Sequence, residues 1–527
     1  MKVNKTLRLD SADNVAVALT DLQPGELVSP PKAPTQGAHP EAESAASAIM
    51  LEIREQIPMM HKVAVTAISQ GDTITKFGQV IGVAAVDILP GSHVHYHNCV
   101  LEGLPANFGS STDAVMAKVP TTPANQRFFR GFRRANGRVG TRNFIGILTS
   151  VNCSATVAKQ IAAAFSHPAV LQDYPNVDGV IALTHESGCG MRAAGEGFDA
   201  LTRTLEGYVT HPNFGGVLMV GLGCETMQVQ GFLSRAGLQD SATFSSFNIQ
   251  EVGGTRAAIE KGVERVKTLL TAVNAQSRQQ CPLAELTLAV QCGGSDGFSG
   301  ITANPALGVA ADLLVQHGGN VIYSETPEIF GAEHLLKARA VNADVAAKLS
   351  ERIDWWQAYT RANGFELNNN PSPGNKAGGL STILEKSLGA QAKGGTSPLT
   401  DVLLYAEQRK TRGLVFMDSP GYDPVSVTGQ VASGANIIGF TTGRGSAFGF
   451  KPVPCFKLSS NTRVYDFMKD DIDINCGTII DGEQTLTEVG AEIFEAIIAI
   501  ASGEQTKSET LGYGDSEFCP WKIGAVV

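Results

Sequence analysis

Four cysteines each follow an apolar stretch of strand length and stand beside small or polar residues. Thiols at strand ends can converge from distant parts of a chain onto one ion, and iron and zinc both accept thiolate ligands. The sequence contains no CxxC pair, so a zinc ribbon is not indicated. The pattern predicts a shared metal site, with packed buried thiols as the alternative, at Cys153, Cys189, Cys224 and Cys292.

Three histidines alternate in the segment HVHYHN, with Cys99 next in the same alternation. A period of two places His93, His95 and His97 on one face of a strand. Neighbouring imidazoles on such a face can share a metal ion. They can also hold a substrate through hydrogen bonds, or form a solvated strand, and the spacing alone leaves all three open.

Three glycine-rich loops offer groups that bind anions. CGGSDGFSGITANP carries Ser295 and Asn304 ahead of a helical run, where backbone N–H groups and a helix N-terminus suit a carboxylate or phosphate. NPSPGNKAGG presents Asn375 and Lys376, and Lys376 is a candidate base. Arg444 in TTGRG is a candidate carboxylate clamp. None of these loops has the P-loop or GxGxxG pattern, so nucleotide binding is not indicated.

Two further residues are candidates for acid–base chemistry. His185 lies in THESGCG close to Cys189, and it is a competing metal ligand or acid. Glu325 follows the strand-like run NVIYS, although a carboxylate at a helix N-terminus is the simpler explanation for it. We predict that Lys376, His185 and Glu325 are the catalytic groups.

The elements that must position these residues differ along the chain of 527 residues. Short alternating runs near the N-terminus predict a small β-rich module, interrupted by the polar insertion Ser29–Ser47. From Phe128 onward apolar strands alternate with helices, which predicts parallel sheets covered on both faces, with ligands at the carboxyl ends of the strands. The predicted organisation is a β module at 1–104, a linker at 105–127, a middle α/β domain at 128–280 and a C-terminal α/β domain at 281–527.

The composition excludes several classes of function. A net charge of −10 with no basic run argues against a nucleic-acid binder. No apolar stretch has the length of a signal core or a membrane span, so we expect a cytoplasmic protein with reduced thiols and no membrane partner. A few local cations and backbone N–H groups suffice for a small anionic substrate.

Five longer motifs resemble those of the altronate and galactarate dehydratases: RRANGRVGTRN, GLGCE, CGGSDGFSGITANP, NPSPGNKAGG and TTGRG. DNVAVALTDL, HVHYHN and TPEIFGAEHLL look more like the altronate branch. The resemblance implies a hydro-lyase for a sugar acid that depends on iron(II), with altronate becoming 2-dehydro-3-deoxygluconate. It also implies a β-clip (SAF-type) domain, a middle domain for dimerisation and a Rossmann-like C-terminal domain, and hence a homodimer.

On this resemblance the four cysteines are expected to hold iron, while manganese, another divalent ion or an iron–sulfur cluster stays open. Lys376 is expected to take the C2 proton of the sugar acid. His95 and His97 are expected to reach the substrate from a mobile module that closes over it. The remaining substrate contacts are expected from Ser295, Asn304, Asn375 and Arg444.

Three alternatives remain open at this stage. A galactarate dehydratase of the same family would need a second carboxylate grip. An oxidoreductase with a Rossmann-like sheet lacks the dinucleotide fingerprint, and a non-catalytic sugar-acid sensor would leave the thiols without a role. Two features depart from the family pattern: Cys476 in DINCGTI, which either joins the metal site or is a packed thiol, and the insertion Ser29–Ser47, which bears on the exact substrate.

Overall fold

The computed structural model describes residues 4–29, 50–104, 126–367 and 370–524. The predicted fold class is confirmed: a small N-terminal β domain precedes α/β domains that include a seven-stranded parallel sheet. Most of the insertion Ser29–Ser47, from residue 30, and residues 105–125 of the predicted linker lie outside the described residues. No helix in the described ranges is long and apolar enough to cross a membrane.

The N-terminal domain (residues 4–29 and 50–104) consists of three small antiparallel sheets of orders β1-β2-β5-β8, β3-β4 and β6-β7-β9. Alternate side chains of these short strands bury two small apolar clusters, one of them around Val15, Ile74 and Ile81. The strands are β1 (Thr6–Leu7), β2 (Val15–Ala18), β3 (Leu27–Val28), β4 (Leu51–Glu52), β5 (Lys62–Ala64), β6 (Thr73–Lys76), β7 (Gln79–Ala84), β8 (His93–Val94) and β9 (Cys99–Val100).

The middle domain (residues 126–282) has a four-stranded parallel sheet of order β13-β12-β14-β15 and a three-stranded antiparallel sheet of order β11-β10-β16. Its strands are β10 (Phe128–Arg133), β11 (Val139–Gly140), β12 (Phe144–Thr149), β13 (Gly179–Leu183), β14 (Phe214–Gly221), β15 (Phe244–Asn248) and β16 (Gln279–Pro282). Its helices are α1 (Ala155–Ala163), α2 (Pro168–Leu171), α3 (Glu196–Val209), α4 (Val229–Ala236) and α5 (Thr255–Asn274).

The C-terminal domain (residues 283–524) is built on a parallel sheet of order β19-β20-β18-β17-β21-β22-β23. The strands are β17 (Thr287–Cys292), β18 (Asn320–Ser324), β19 (Leu399–Leu403), β20 (Gly413–Met417), β21 (Ile437–Thr442), β22 (Cys455–Ser459) and β23 (Ile474–Asn475). The helices are α6 (Ala303–Gln316), α7 (Glu333–Lys337), α8 (Ala343–Ala362), α9 (Pro373–Ala377), α10 (Ile383–Gln391), α11 (Asp423–Ala432), α12 (Thr462–Phe467), α13 (Thr478–Asp481), α14 (Leu486–Ala501) and α15 (Lys507–Thr510).

The strand order of the C-terminal sheet reverses between β17 and β21. From β17 the chain proceeds to β18 on one side and returns later to β21 on the other side. All six residues of each of these two strands are buried, as expected for a sheet covered on both faces. The loops after β17 and β21 diverge at this switch point and leave a crevice, where open α/β sheets bind ligands.

The middle and C-terminal domains share one apolar core. Helix α3 of the middle domain packs closely on α11 of the C-terminal domain. A Cβ at Gly207 of α3 would lie 2.3 Å from the carbonyl oxygen of Ala432. The cluster also contains Phe144 from the middle sheet and Val415 from the C-terminal sheet. This continuous burial holds the two sheets in one arrangement.

The N-terminal domain is attached to the C-terminal domain by a buried ion triad. Lys62 and Lys76 each place Nζ 2.8 Å from a different oxygen of Glu385, and all three side chains are almost fully buried. Glu385 lies in the first turn of α10, where Thr382 caps the helix and a carboxylate is favoured by the helix dipole. Burial alone would raise the pKa of Glu385, but the two ammonium groups lower it to about 2.

The variant Glu385→Gln is expected to loosen this attachment. The amide cannot neutralise two buried lysines, and removing one partner of a buried ion pair costs about 3–5 kcal/mol. Urea unfolding followed by circular dichroism should show the first transition at lower denaturant. The control Glu495→Gln breaks the exposed pair with Arg127 and should cost about 0–1 kcal/mol. Equal stability of E385Q and wild type would contradict the role assigned to the triad.

Candidate active site

Three imidazoles of the N-terminal domain form a compact group, the histidine cluster: His61, His93 and His95. One ring nitrogen from each lies within 4.8 Å of those of the other two. His61 Nδ1 and His93 Nε2 are 2.9 Å apart, and the rings of His93 and His95 are stacked with their centroids 5.3 Å apart. His61 lies immediately before strand β5, and β5 pairs with β8, which carries His93. The spacing of the HVHYHN segment could not indicate His61, because His61 lies outside that segment.

The predicted continuous strand through the histidine segment is wrong. Strand β8 ends at Val94, and a turn follows in which the backbone N–H groups of Asn98 and Cys99 both donate to the carbonyl of His95. His97 is therefore exposed, although its ring centroid remains 5.5 Å from that of His93. Cys99 is buried in the core of the domain. The side chain of Asn98 accepts the N–H of His95, and this hydrogen bond stabilises the turn relative to a continued strand.

The histidine cluster is uncharged at neutral pH. Burial, with the charge of Lys62 adding to it, lowers the pKa of His95 to about 3. Burial and the neighbouring imidazoles of His61 and His97 lower the pKa of His93 to about 3 as well. Burial also lowers the pKa of His61. A metal ion requires neutral imidazoles, so this group is prepared for one without the loss of a proton.

The histidine cluster lies against the C-terminal domain. His95 Nδ1 is 3.2 Å from the hydroxyl of Ser381, and His61 Nε2 is 3.4 Å from the carbonyl oxygen of Ala377. The ammonium of Lys376, one residue before Ala377, lies 5.7 Å from the centroid of the Tyr96 ring. The predicted base and the predicted histidine of the N-terminal domain thus meet at one interface.

The predicted anion-binding loops converge at the same place. Asn375 Nδ2 donates to the carbonyl of Ser295 at 2.8 Å, and the backbone N–H of Arg444 donates to the carbonyl of Gly294 at 2.9 Å. Close approach requires glycine here, since a Cβ at Gly297 would lie 2.2 Å from the Met60 carbonyl oxygen. The side chain of Arg444 is exposed at the rim.

Asn304 is nearby but fully used within the fold. Its amide group donates to the carbonyl of Gly389 at 2.9 Å, and its oxygen accepts from Thr441 at 2.6 Å. Asp296, which the sequence analysis did not single out, is buried below the same loop and accepts from Ser299 and Ser460. These side chains hold the loop after β17 in place.

A second group at the carboxyl end of the C-terminal sheet is the buried charge cluster: Cys292, Glu325, Glu328, Lys386, Lys393 and Asp423. Lys393 Nζ lies 2.8 Å from Cys292 Sγ and 3.2 Å from Glu328 Oε2. Lys386 Nζ lies 2.8 Å from the other oxygen of Glu328. The two lysines come from α10 and the turn after it, far from the acids in sequence, so no local pattern could indicate them.

The acids of the buried charge cluster differ in protonation. Burial and repulsion from Glu328 raise the pKa of Glu325 well above its usual range, whereas two ammonium groups overcome the burial of Glu328 and lower its pKa. Glu325 therefore carries a proton at neutral pH, and its Oε2 has no hydrogen-bond partner among the described residues. Burial, followed by the charge of Glu328, raises the pKa of Asp423 to about 7.

The four predicted iron ligands do not come together. Cys292 is enclosed in the buried charge cluster, where burial raises the pKa of its thiol. Cys153, Cys189 and Cys224 are exposed at the ends of strands of the middle sheet. Among the described residues, none of these three belongs to a group whose ligand atoms lie within 4.8 Å of one another.

His185 also lies in the middle domain, away from the histidine cluster. Its Nε2 is 3.0 Å from the Thr149 carbonyl oxygen, and its Nδ1 accepts the N–H of Ser187 at 3.2 Å. Both ring nitrogens are thus engaged in holding the loop after β13. Burial lowers the pKa of this imidazole to about 4.

Two groups of side chains have the donors for a metal ion. Imidazole suits iron, zinc, copper and nickel, so the histidine cluster fits a divalent ion such as iron(II). In the buried charge cluster, Cys292, Glu325 and Glu328 offer sulfur and oxygen donors, but Lys393 already lies against two of them. A divalent cation there would face ammonium groups at short range, so the histidine cluster is the better fit.

The cavities differ greatly in size. The space lined by Ser295, Asn304 and Lys386, next to the interface, is only ≈ 10 Å³. A cavity of ≈ 660 Å³ lies in the middle domain, between the loops of Asn152 and Ser187 and the C-terminal tail. The space beside Ser295 and Lys386 is therefore nearly filled, whereas the middle domain presents open space.

The fold and these sites define a three-domain α/β protein whose N-terminal β domain closes onto the sheet that bears the anion-binding loops. Residues 4–102 match the altronate/galactarate dehydratase SAF domain, and residues 131–274 match the second domain of D-galactarate dehydratase/altronate hydrolase. Residues 283–526 match the C-terminal domain of D-galactarate/altronate dehydratase.

Curated relatives agree with these matches. The chain is 36% identical over 503 residues to altronate dehydratase of Bacillus subtilis (strain 168), which covers 95% of this chain and 96% of the relative. It is 35% identical over 505 residues to altronate dehydratase of Escherichia coli (strain K12), with the same coverage. It is 40% identical over 461 residues to the L-threo-forming galactarate dehydratase of that strain, covering 86% and 88%. The chain belongs to the altronate/galactarate dehydratase family.

The lowered pKa values of the histidine cluster predict a pH dependence of stability. Between the unfolded value of 6.5 and the folded value of about 3, the unfolded chain binds a proton at His95 that the folded chain does not. Stability is therefore lost as the pH falls through this window. In chelator-treated protein, His95→Asn should reduce the drop in Tm between about pH 7 and about pH 5.

The matched control is His167→Asn in the middle domain, because the His167 side chain is exposed and asparagine can also accept the N–H of Ala169 at the start of α2. This variant should show the wild-type response in Tm to acid. An unchanged response in H95N would mean that His95 is not buried in its neutral form.

The thiols should differ sharply in reactivity. Burial and the raised pKa keep Cys292 protonated, and reaction with iodoacetamide requires an accessible thiolate. Brief alkylation of native, chelator-treated protein should label Cys153, Cys189 and Cys224 and leave Cys292 unlabelled, as read by peptide mass spectrometry. Labelling of Cys292 as fast as Cys224 would contradict the buried charge cluster.

Proposed function

We propose that the protein dehydrates a sugar acid, with D-altronate as substrate and 2-dehydro-3-deoxy-D-gluconate as product. The observation that carries the proposal is the closed interface, where neutral imidazoles and Lys376 face glycine-rich loops at the switch point of the C-terminal sheet. The similarity to altronate dehydratases over 95% of the chain, N-terminal domain included, supports this substrate.

Dehydration of a 2,3-dihydroxy acid removes the weakly acidic C2 proton and expels the C3 hydroxyl. The negative charge that develops on the carboxylate oxygens must be stabilised, and this is the largest demand on the site. Iron(II) held by His61, His93 and His95 would supply this as a Lewis acid, and manganese or another divalent ion would suit the same donors. An assembly as a homodimer stays a prediction from the family resemblance.

Lys376 is the proposed base for the C2 proton. It is half-buried on the short helix α9, which a capping box at Ser372 and Asn375 holds in place. His61 contacts the next residue of this helix, so closure of the N-terminal domain fixes the position of the base relative to the histidine cluster.

The sugar-acid carboxylate is proposed to lie on the loops after β17 and β21. Arg444 at the rim supplies a guanidinium for two parallel hydrogen bonds, and Ser295 and Asn375 supply a hydroxyl and an amide next to it. His95 and the exposed His97 reach the substrate from the other side.

Glu325 is the proposed acid for the departing hydroxyl. Its raised pKa keeps a proton on the carboxyl at neutral pH, and Oε2 is the oxygen left without a hydrogen-bond partner in the described part of the chain. The residue also has φ of 75°, a left-handed backbone that costs about 1–3 kcal/mol for a non-glycine residue. Such strain is found at sites where a side chain must be aimed.

The substrate is proposed to enter when the N-terminal domain separates from the C-terminal domain. The space beside Ser295 and Lys386 is ≈ 10 Å³, which is far below the volume of a sugar acid. The N-terminal domain therefore acts as a lid in this proposal, and the ion triad at Glu385 holds it closed.

Galactarate dehydration is the second candidate function. The 40% identity to the galactarate dehydratase exceeds that to either altronate dehydratase, although the match is shorter. The exposed Arg444 provides one cationic contact for a carboxylate. A diacid needs a second such contact for its far carboxylate. Relative kcat/KM for the two acids decides between the candidates.

Anaerobic turnover with iron(II) tests the function. The purified protein should convert altronate to a 2-keto-3-deoxy acid, with lower kcat/KM for galactarate and for other aldonates and aldarates. Failure of every sugar acid in the panel to yield such a product would end the dehydratase proposal. Faster turnover of galactarate would replace the proposed substrate with the second candidate.

Replacing the proposed base should lower kcat strongly. A positioned acid or base contributes about 10²–10⁴-fold, so Lys376→Met should lose about this factor in kcat on altronate. Lys410→Met removes an exposed lysine of the C-terminal domain and is the matched control, expected to keep wild-type kcat and KM. Wild-type kcat in K376M would exclude Lys376 as the base.

A further inference from the structure

Three exposed cysteines occupy one edge of the middle sheet. Strands β13, β12 and β14 are neighbours and run parallel, so their carboxyl ends lie side by side. Each is followed within a few residues by an exposed thiol: Cys189, Cys153 and Cys224, respectively. The other six cysteines are buried or half-buried. Because unpaired cysteine is among the most buried residue types, three exposed ones on a single edge call for a function.

The loops that carry the three thiols are bonded to one another. The N–H of Asn152 donates to the carbonyl of Ser187 at 3.1 Å, and the N–H of Met227 donates to the carbonyl of Gly188 at 3.0 Å. At Gly188 (φ of 100°) an added Cβ would lie 2.2 Å from the Ser150 carbonyl oxygen, so only glycine permits this contact. The loop of Cys189 therefore bridges the loops of the other two cysteines.

Buried side chains keep these loops in place. Glu225 is 2% exposed and accepts the hydroxyl of Ser150 at 2.6 Å, which joins the loop after β14 to the loop after β12. The same carboxylate accepts the backbone N–H groups of Leu222 and Gly223 beside Cys224. His185 joins the loop after β13 to Thr149. Three thiols are thus presented on a rigid frame, as a metal site requires.

The three sulfurs lie too far apart, in the present arrangement, to share a single tetrahedral ion. A single tetrahedral ion with bonds of about 2.3 Å draws its sulfur ligands to within about 4 Å of one another. The three sulfurs form no group within 4.8 Å. In a four-iron cluster each cysteine binds a different iron, so the sulfurs stand farther apart, and thiolates are the usual ligands of such clusters. Gln250 also donates to Cys224 Sγ at 3.5 Å, the type of contact that tunes cluster sulfurs.

We propose that Cys153, Cys189 and Cys224 bind an iron–sulfur cluster. This cofactor site lies in the middle domain and is separate from the histidine cluster. Three thiolates leave one iron of a four-iron cluster without a cysteine ligand. The cavity of ≈ 660 Å³ reaches Asn152 and Ser187, which neighbour two of the cysteines, so small molecules have a route to this side of the domain.

Reconstitution of the full chain tests the proposal. Protein purified under anaerobic conditions is incubated with ferrous iron, sulfide and a thiol reductant and is then desalted. Wild type should retain acid-labile sulfide together with iron and show the visible absorption of a cluster. After reduction with dithionite it should show the low-temperature electron paramagnetic resonance of the reduced cluster. Acid-labile sulfide separates a cluster from iron held at the histidine cluster.

The variants Cys153→Ser, Cys189→Ser and Cys224→Ser should each lose most of the sulfide and the resonance signal. Cys519→Ser, at a half-buried thiol on the C-terminal tail, and His95→Asn should retain both. Exposed Cys→Ser changes alter stability by about 0.5 kcal/mol or less, so equal Tm values of the cofactor-free proteins verify folding.

Two outcomes would overturn the proposal: iron bound by wild type without acid-labile sulfide, and wild-type sulfide content in C189S. The proposed dehydratase function fails separately, through the absence of product from the sugar-acid panel. A protein that turns over altronate and holds no sulfide would therefore retain its proposed function and lose the cluster.

Discussion

One buried carboxylate joins the two parts of the candidate active site. Glu385 receives one ammonium from β5 and one from β6, strands of two different sheets of the N-terminal domain, at 2.8 Å on each of its oxygens. Charges this deeply buried are tolerated only when they are paired, so the contact specifies one docking position for the domain. The histidine cluster, the proposed base Lys376 and the loops after β17 and β21 meet in that position. When the N-terminal domain separates, water solvates all three charges. This solvation offsets the loss of the ion pairs, so the interface can also open.

The fold was predictable from the sequence because its signals are local. Apolar runs of strand length alternate with helices, and this pattern alone indicates parallel sheets with glycine-rich loops at the carboxyl ends of their strands. Ser295 and Arg444 were placed on such loops, and the structure brings the two loops together. Asn375 and Lys376 lie instead on the short helix α9, which follows α8 and contacts the loop of Ser295. All strands of a parallel sheet end at the same edge. The meeting of the loops of Ser295 and Arg444 could therefore be predicted without knowing which strands are neighbours.

The remaining features depend on contacts between distant parts of the chain. His61 joins His93 through pairing of β5 with β8, and Lys393 joins Cys292 across 101 residues of sequence. No spacing rule reports such pairs. The four cysteines looked equivalent because each follows an apolar strand, but β17 belongs to a different sheet from the strands before the other three. The turn after Val94 escaped prediction because the side chain of Asn98 competes with strand pairing.

The two ligand sets are chemically distinct and lie in separate domains. Neutral imidazoles at the interface suit a divalent ion that meets oxygen atoms of a substrate, and thiols on the middle sheet suit iron–sulfur chemistry. The buried charge cluster between α10 and the C-terminal sheet neutralises its own acids with two lysines and leaves Glu325 protonated. Burial and repulsion from Glu328 together favour the proton on Glu325, because both lysines pair with Glu328.

The central claim is that the sugar acid binds between the N-terminal domain and the switch point of the C-terminal sheet. A crystal structure of the K376M variant grown anaerobically with altronate and iron(II) tests this most directly. We expect density for the sugar acid between the histidine cluster and the loops that carry Ser295 and Arg444. Density in the middle-domain cavity beside Asn152 and Ser187, with the interface empty, would contradict it.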